Sequence, residues 1–181
     1  NSGLSDIAMV NGHIRGGVTN NGGVYGGPGF GDGIGYSGTA PRNVRVSGIN
    51  VSGCFDDGIY VDLGNSTLVE GCMVRTVGGV GIFGGAVKRS EAVECGGTAI
   101  FGTTVSDCLG QSTGSGTGVY ADTALNCRGY SSSGNGVFAW TAQNCLGVSA
   151  DGRGVVGYSL LNCWGQSSSD TGLTAENADN C

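Results

Sequence analysis

The sequence predicts an all-β fold, a parallel solenoid of about 18-residue coils, on three observations. Cysteines keep an 18-residue clock through Cys54, Cys72, Cys108, Cys127, Cys145, Cys163 and Cys181, with one single-residue slip between Cys108 and Cys127 and Ser90 on the vacant beat. Apolar columns recur at the same period on either side of that clock. Glycine supplies 39 of 181 residues and proline only 2, which excludes collagen and Pro-rich disorder and suits a chain that turns often. A short fixed period is the signature of stacked coils, each too small to bury its own apolar face and so buried by its neighbours.

Residues 1–181 read as one domain. Residues 1–50 form an irregular N-terminal part. Within it Asp6–Ile14 and Asn43–Val51 alternate like strands, and the glycine-rich stretch 16–31 reads as a long loop between about two wider coils. Residues 51–181 carry the regular coils, giving eight to nine in all. Three residues before each cysteine stands an apolar column, Val51, Val69, Val87, Val105, Ala124, Ala142, Leu160 and Ala178, which points inward. Asp107, Asn126, Asn144, Asn162 and Asn180 immediately precede a cysteine. Asn tolerates the left-handed backbone of a sharp corner, and stacked amides pass hydrogen bonds from coil to coil.

A second inward column runs Ile59, Ile82, Ile100, Val119, Val137, Val155 and Leu173, the core side of a strand. Two residues on come Val61, Gly84, Gly102, Ala121, Ala139, Gly157 and Ala175, mostly small, as a narrow interior requires. Strand side chains alternate, so the residues between these columns face outward. They are Tyr60, Phe83, Phe101, Tyr120 and Phe138, an aromatic stripe that Trp140 and Tyr158 widen. An exposed apolar patch of this length marks an interaction surface; the other reading is that a terminal segment or loop of the same chain covers it. With one residue per coil at the same phase, the cysteines read as a stacked column of free, buried thiols, although stacked strands bring equivalent positions to about 4.8 Å, within disulfide reach; a zinc site would need closely spaced pairs that the chain lacks.

The segments N-V-R-V-S-G-I-N-V-S-G-C-F-D-D-G-I-Y-V (43–61) and L-V-E-G-C-M-V (68–74), with the Asn column and the repeated G-[VI] strand starts, resemble the right-handed parallel β-helix of the pectin lyase-like superfamily. A left-handed helix of three hexapeptides has the same coil length, but it shows an aliphatic residue at every sixth position, a pattern missing here. The superfamily hosts lyases, hydrolases, tailspikes, adhesins and inert spacers, so the resemblance implies a fold more than an activity.

Its polygalacturonase-like branch implies a candidate catalytic set. Gly31-Asp32-Gly33-Ile34, Asp56-Asp57-Gly58-Ile59 and Gly79-Val80-Gly81-Ile82 match successive active-site segments, which points to Asp32, Asp56 and Asp57. Clustered carboxylates can divide into general acid and base. The family's His position is Val80, and its Arg-Ile-Lys position reads Ala99-Ile100-Phe101, so the cations that would hold an acidic polymer are gone. The other reading of Asp before Gly-Ile is turn chemistry at a strand start. No cofactor is expected, although Asp56, Asp57 and Asp62 could hold a calcium ion as in a lyase-like site. Arg42, Arg45, Lys88 and Arg89 form the main basic group and read as a solvated face, and His13, the single histidine, reads as structural.

A net charge of −6 argues against nucleic acid and anionic membranes, and no apolar run is long enough to insert in a bilayer. Neither terminus shows an amphipathic capping helix, and Asn177–Cys181 read as a coil that expects another. The leading expectation is therefore an extracellular or cell-surface structural solenoid that associates with itself, head to tail and laterally. The alternatives are a carbohydrate-binding or polysaccharide-degrading β-helix and a shaft segment of a tailspike or adhesin. Asn50-Val51-Ser52 and Asn65-Ser66-Thr67 are glycosylation sequons.

Overall fold

The computed structural model describes residues 5–62 and 66–181, and Asn65 of the second sequon lies outside them. The described residues contain strands and no helix. Strand β1 (Ser5–Arg15) is followed by a hairpin, β2 (Thr19–Asn21) and β3 (Val24–Gly26), and by the long β4 (Arg42–Cys54). Next come β5 (Ile59–Tyr60), β6 (Leu68–Glu70), β7 (Met73–Val77), β8 (Ile82–Lys88) and β9 (Glu91–Cys95). The regular part continues through β10 (Ile100–Ser106), β11 (Leu109–Ser112), β12 (Val119–Leu125), β13 (Arg128–Ser131) and β14 (Val137–Gln143). It ends with β15 (Leu146–Ser149), β16 (Val155–Leu161), β17 (Trp164–Ser167) and β18 (Leu173–Asp179).

All pairing outside the β2–β3 hairpin is parallel, and the order is that of a solenoid. The seven-residue strands β8, β10, β12, β14, β16 and β18, with the short β6 ahead of them, stack as one face, and the four- and five-residue strands β7, β9, β11, β13, β15 and β17 stack as the other. Strands β1 and β4 run through both faces. The first half of β4 pairs with β6 and its second half with β7. Each regular coil is thus a seven-residue strand, a sharp corner, a four- or five-residue strand and a broad turn.

The corner is where the asparagines stand. Asn11, Gly48, Gly71, Arg89, Asp107, Asn126, Asn144, Asn162 and Asn180 share it, all with φ between 46° and 63°. That left-handed region costs an ordinary L-residue about 1–2 kcal/mol, which explains the preference for Asn, Asp and Gly. From Gly71 to Asn180 the corners recur at an 18-residue step, lengthened to 19 only between Asp107 and Asn126. The expected eight to nine coils are therefore about six. Upstream, the steps from Asn11 to Gly48 and from Gly48 to Gly71 are longer, because loops are inserted there.

The core is a single rod of apolar side chains along the axis. Val46, Val69, Val87, Val105, Ala124, Ala142 and Leu160 form one buried column, and Ile59, Ile82, Ile100, Val119, Val137 and Val155 form another. Each fully buried Val or Ile contributes about 1.5–3 kcal/mol. Val46, not Val51, fills the first place of the valine column. Val51 instead pairs with Val74 on the other face, out of the register that an unbroken period implies. Beside the short strands the two walls of the coil touch. A methyl group placed on Gly129 would lie 1.9 Å from the Gly136 carbonyl oxygen, so glycine is required there by contact.

Candidate functional site

The turn preceding the long strands gathers the carboxylates that the resemblance singles out. Asp32 and Asp56 are exposed and Asp57 is half-buried. Asp32 Oδ1 accepts the Asp57 backbone N–H at 3.1 Å, and Asp57 Oδ1 accepts the Val80 N–H at 2.6 Å. The main chain stacks in step, with Gly79 N donating to the Asp56 carbonyl at 2.7 Å. Each of these two aspartates therefore caps a strand start in the coil that follows it. Burial pushes the Asp57 carboxyl above its usual range, the Val80 N–H opposes this, and the charges of Asp32 and Asp56 reinforce it. Asp62 stands apart from this group at the far end of β5, where its Oδ2 accepts the Tyr36 hydroxyl at 3.3 Å. Among the described residues no group of three His, Cys, Asp or Glu side chains is arranged to hold a metal ion.

The cations do not meet the carboxylates. Arg45 bridges to Glu70 at 2.9 Å and Arg89 bridges to the other oxygen of the same carboxylate. This cluster lies at the opposite, sharp corner. His13 is exposed on β1 and its Nδ1 faces the Asn50 side-chain amide at 3.3 Å.

The aromatic stripe is a stack rather than an open surface. Tyr60 and Phe83 have ring centroids 4.5 Å apart at an interplanar angle of 6°, Phe101 and Tyr120 repeat those values, and Tyr120 and Phe138 lie 4.8 Å apart at 12°. Phe83 and Phe101 are tilted at 5.0 Å. All five rings are half-buried, because each covers the face of the next. Tyr36 extends the column at 6.0 Å from Tyr60. It lies in the irregular N-terminal part, where periodicity gives no phase to find it by.

Trp140 and Tyr158 differ from the stripe. They occupy a parallel column, one coil apart, and are 60 % and 49 % exposed. With Phe138, Val156, Gly157 and Glu176 they line a shallow cleft of about 180 Å³. The neighbours of Trp140 and Tyr158 in this column are Asp122 and Glu176, both exposed. The sequence signal was present, since Asp122 stands one period before Trp140 and Glu176 one period after Tyr158.

The thiol ladder holds with one correction. Cys72, Cys108, Cys127, Cys145 and Cys163 are buried in one column with Ser90, and Cys181 ends it exposed. Their Sγ atoms donate to main-chain carbonyls, as Cys108 does to Ser106 at 3.1 Å and Cys127 to Leu125 at 3.2 Å. Ser90 has the same role, donating to the Lys88 carbonyl at 2.9 Å while accepting the Cys72 N–H at 3.2 Å. Cys54 is not in this column. It pairs with Val77 and, through it, Cys95, on the far side of the short strand, and Ile49 takes the place beside Cys72. The longer coil between Gly48 and Gly71 shifts the clock there. In the later coils the Cys54 column becomes Ser112, Ser131, Ser149 and Ser167. Their hydroxyls fasten the broad turns, as when Ser149 donates to the Gly134 carbonyl at 2.6 Å and accepts Gly152 N–H at 2.9 Å.

The N-terminal hairpin is tied across this framework. The Tyr25 hydroxyl donates to the Glu94 carbonyl at 2.8 Å and meets Thr113 Oγ1 at 2.7 Å. The glycine-rich loop therefore lies against the turns around Gly78 and Gly96.

No protein-family model, curated protein or solved structure matches the chain. The architecture thus defines its class, a parallel β-solenoid repeat protein.

Proposed function

We propose that this protein is an extracellular structural β-solenoid, of the right-handed pectin lyase-like kind, that builds a shaft, fibre or surface layer by association with further coils, including those of its own copies. The observation that carries the reading is the ladder set. Asn amides, serine hydroxyls and aromatic rings are engaged coil against coil through the regular turns, and the thiols also reach the preceding coil, as Cys127 does at the Val105 carbonyl at 3.4 Å. A rod built this way resists bending and unzipping, the property a structural element needs. Asp32 and Asp57 serve the same end by capping strand starts. On β18 the side chains of Leu173, Ala175 and Ala178 continue the inward columns of the preceding coils.

A polysaccharide-binding reading draws on Trp140 and Tyr158, whose exposure leaves them accessible. The five-ring stack supports it less, because sugars stack on ring faces and those faces are already covered by neighbouring rings. Negative-stain electron microscopy across a concentration series tests the structural reading. Rods that lengthen with concentration are expected, and a monodisperse short rod at high concentration would sink self-association. Cleavage of any polymer in a polysaccharide panel would move the reading to the enzymatic alternative.

A further inference from the structure

From the cleft between Trp140 and Tyr158 we infer a binding site for a quaternary ammonium group, of the kind carried by choline. It is independent of whether the rods self-associate. Four successive coils place Asp122, Trp140, Tyr158 and Glu176 in one outward column. Parallel coils repeat at about 4.8 Å, so two accessible aromatic side chains stand between two carboxylates within about 15 Å. Neither carboxylate has a hydrogen-bond or ion-pair partner among the described residues, and Glu176 lines the cleft itself. The cation at the start of β16, Arg153, is engaged with Asp170 at 3.5 Å.

This combination selects for positive charge. Aromatic faces attract cations through the ring quadrupole, most strongly for Trp, and a carboxylate beside them adds Coulombic attraction. A quaternary ammonium is weakly hydrated and cannot donate N–H bonds, so it fits a wall made of Phe138, Trp140, Val156 and Tyr158 that offers few acceptors. The volume of about 180 Å³ suits one small head group. An acidic polymer is disfavoured by Glu176, by Asp122 and by the net charge of −6.

Fluorescence of Trp140 reads this site. The chain has two tryptophans, so the Trp164→Phe background leaves Trp140 as the reporter. Choline chloride is titrated into the full chain against its neutral isostere 3,3-dimethyl-1-butanol, with a neutral oligosaccharide as a third arm. Choline is expected to change the Trp140 signal saturably and the isostere at least about five-fold more weakly, the cation–π share of such contacts. Glu176→Gln should weaken choline several-fold and flatten its salt dependence while leaving the fold intact, since Glu176 is exposed. Tyr158→Ala should weaken it at least as much. A parallel arm with phosphatidylcholine vesicles separates the sources: cosedimentation with vesicles assigns the head group to lipid, and saturation by free choline alone assigns it to a soluble ligand. Equal response to choline and the isostere, a response to the oligosaccharide alone, or indifference of choline binding to Glu176→Gln would each overturn the assignment.

Discussion

The side-chain amide of Asn144 donates to Asn126 Oδ1 at 3.1 Å, and both residues hold φ at 53°. One residue type therefore answers two requirements, a left-handed corner and a hydrogen bond to the coil before it. The same bond recurs from Asn126 to Asp107 at 3.0 Å, from Asn162 to Asn144 at 3.2 Å and from Asn180 to Asn162 at 2.9 Å.

Two substitutions separate these roles. Asn144→Gly removes the ladder bonds but keeps a backbone suited to positive φ, and is expected to cost about 0.5–1.5 kcal/mol. Asn144→Ala loses the same bonds and places a β-carbon in the left-handed region, so it should cost about 1–2 kcal/mol more. Urea unfolding of both variants gives the comparison. Equal loss in the two would show that the corner carries no conformational strain.

Burial of the thiol column makes stability depend on alkaline pH. Burial pushes the Cys108 thiol up to about 11. Cys145 is likewise pushed up to about 11, first through its hydrogen bond with the Cys127 thiol and then by burial. A thiol whose folded pKa is raised favours the folded state while it stays protonated. That contribution is complete below the ordinary thiol value of 9.0 and is lost as pH climbs through about 11. Thermal melts should therefore fall steeply between pH 9 and 11, and Cys145→Ser should blunt the fall. At neutral pH that variant should lose little, because Ser90 already occupies an equivalent position with its hydroxyl satisfied. A pH-independent melting temperature over this window would contradict the buried-thiol picture.

Much of this was legible in the sequence wherever the period held. From Val69 onward the corner asparagines, the valine and isoleucine columns and the aromatic column have the partners that an 18-residue count with its one slip implies, because parallel pairing conserves register from coil to coil. The count failed at Cys54 and Val51. A longer coil between Gly48 and Gly71 displaces everything upstream, and Cys54 keeps its spacing to Cys72 by coincidence. Tyr36 and the Tyr25 strap were invisible for a related reason, since loop contacts follow no period. The aromatic stripe is also less exposed than strand alternation implies. Alternation shows that a ring faces outward, but not that the next ring covers it.

Asp57 sets the structural and catalytic readings against each other. Burial, aided by Asp32 and Asp56, raises its carboxyl above the ordinary 3.8. The sign is therefore that of a group favouring the fold when protonated: its contribution is complete below pH 3.8 and is lost as pH rises through the folded value. Asp57→Asn keeps an oxygen for the Val80 N–H and removes the charge, so it is expected to match or exceed the parent in stability at neutral pH. Asp57→Ala loses the cap and should cost about 1–2 kcal/mol. Denaturation at acid and at neutral pH provides the check. A parent that cleaves polysaccharide and an Asp57→Asn variant that does not would establish the catalytic reading instead.

The ring column yields a prediction about how stiff the rod is. Phe101 lies 4.5 Å from Tyr120 at 6° and 5.0 Å from Phe83 at 31°, so its removal interrupts the stack in the middle. Phe101→Leu retains most of the half-buried apolar bulk and should lose mainly the ring–ring contribution, about 0.5–1.5 kcal/mol per pair. A double-mutant cycle of Phe101→Leu with Tyr120→Leu should return a coupling energy of that size, and a cycle of Phe101→Leu with the distant Tyr158→Leu should return about zero. Coupling restricted to the stacked pair would mean that the column holds coil to coil. No coupling in either cycle would mean that the rings act as separate surface groups, available to a ligand, and would favour the polysaccharide reading over the structural one.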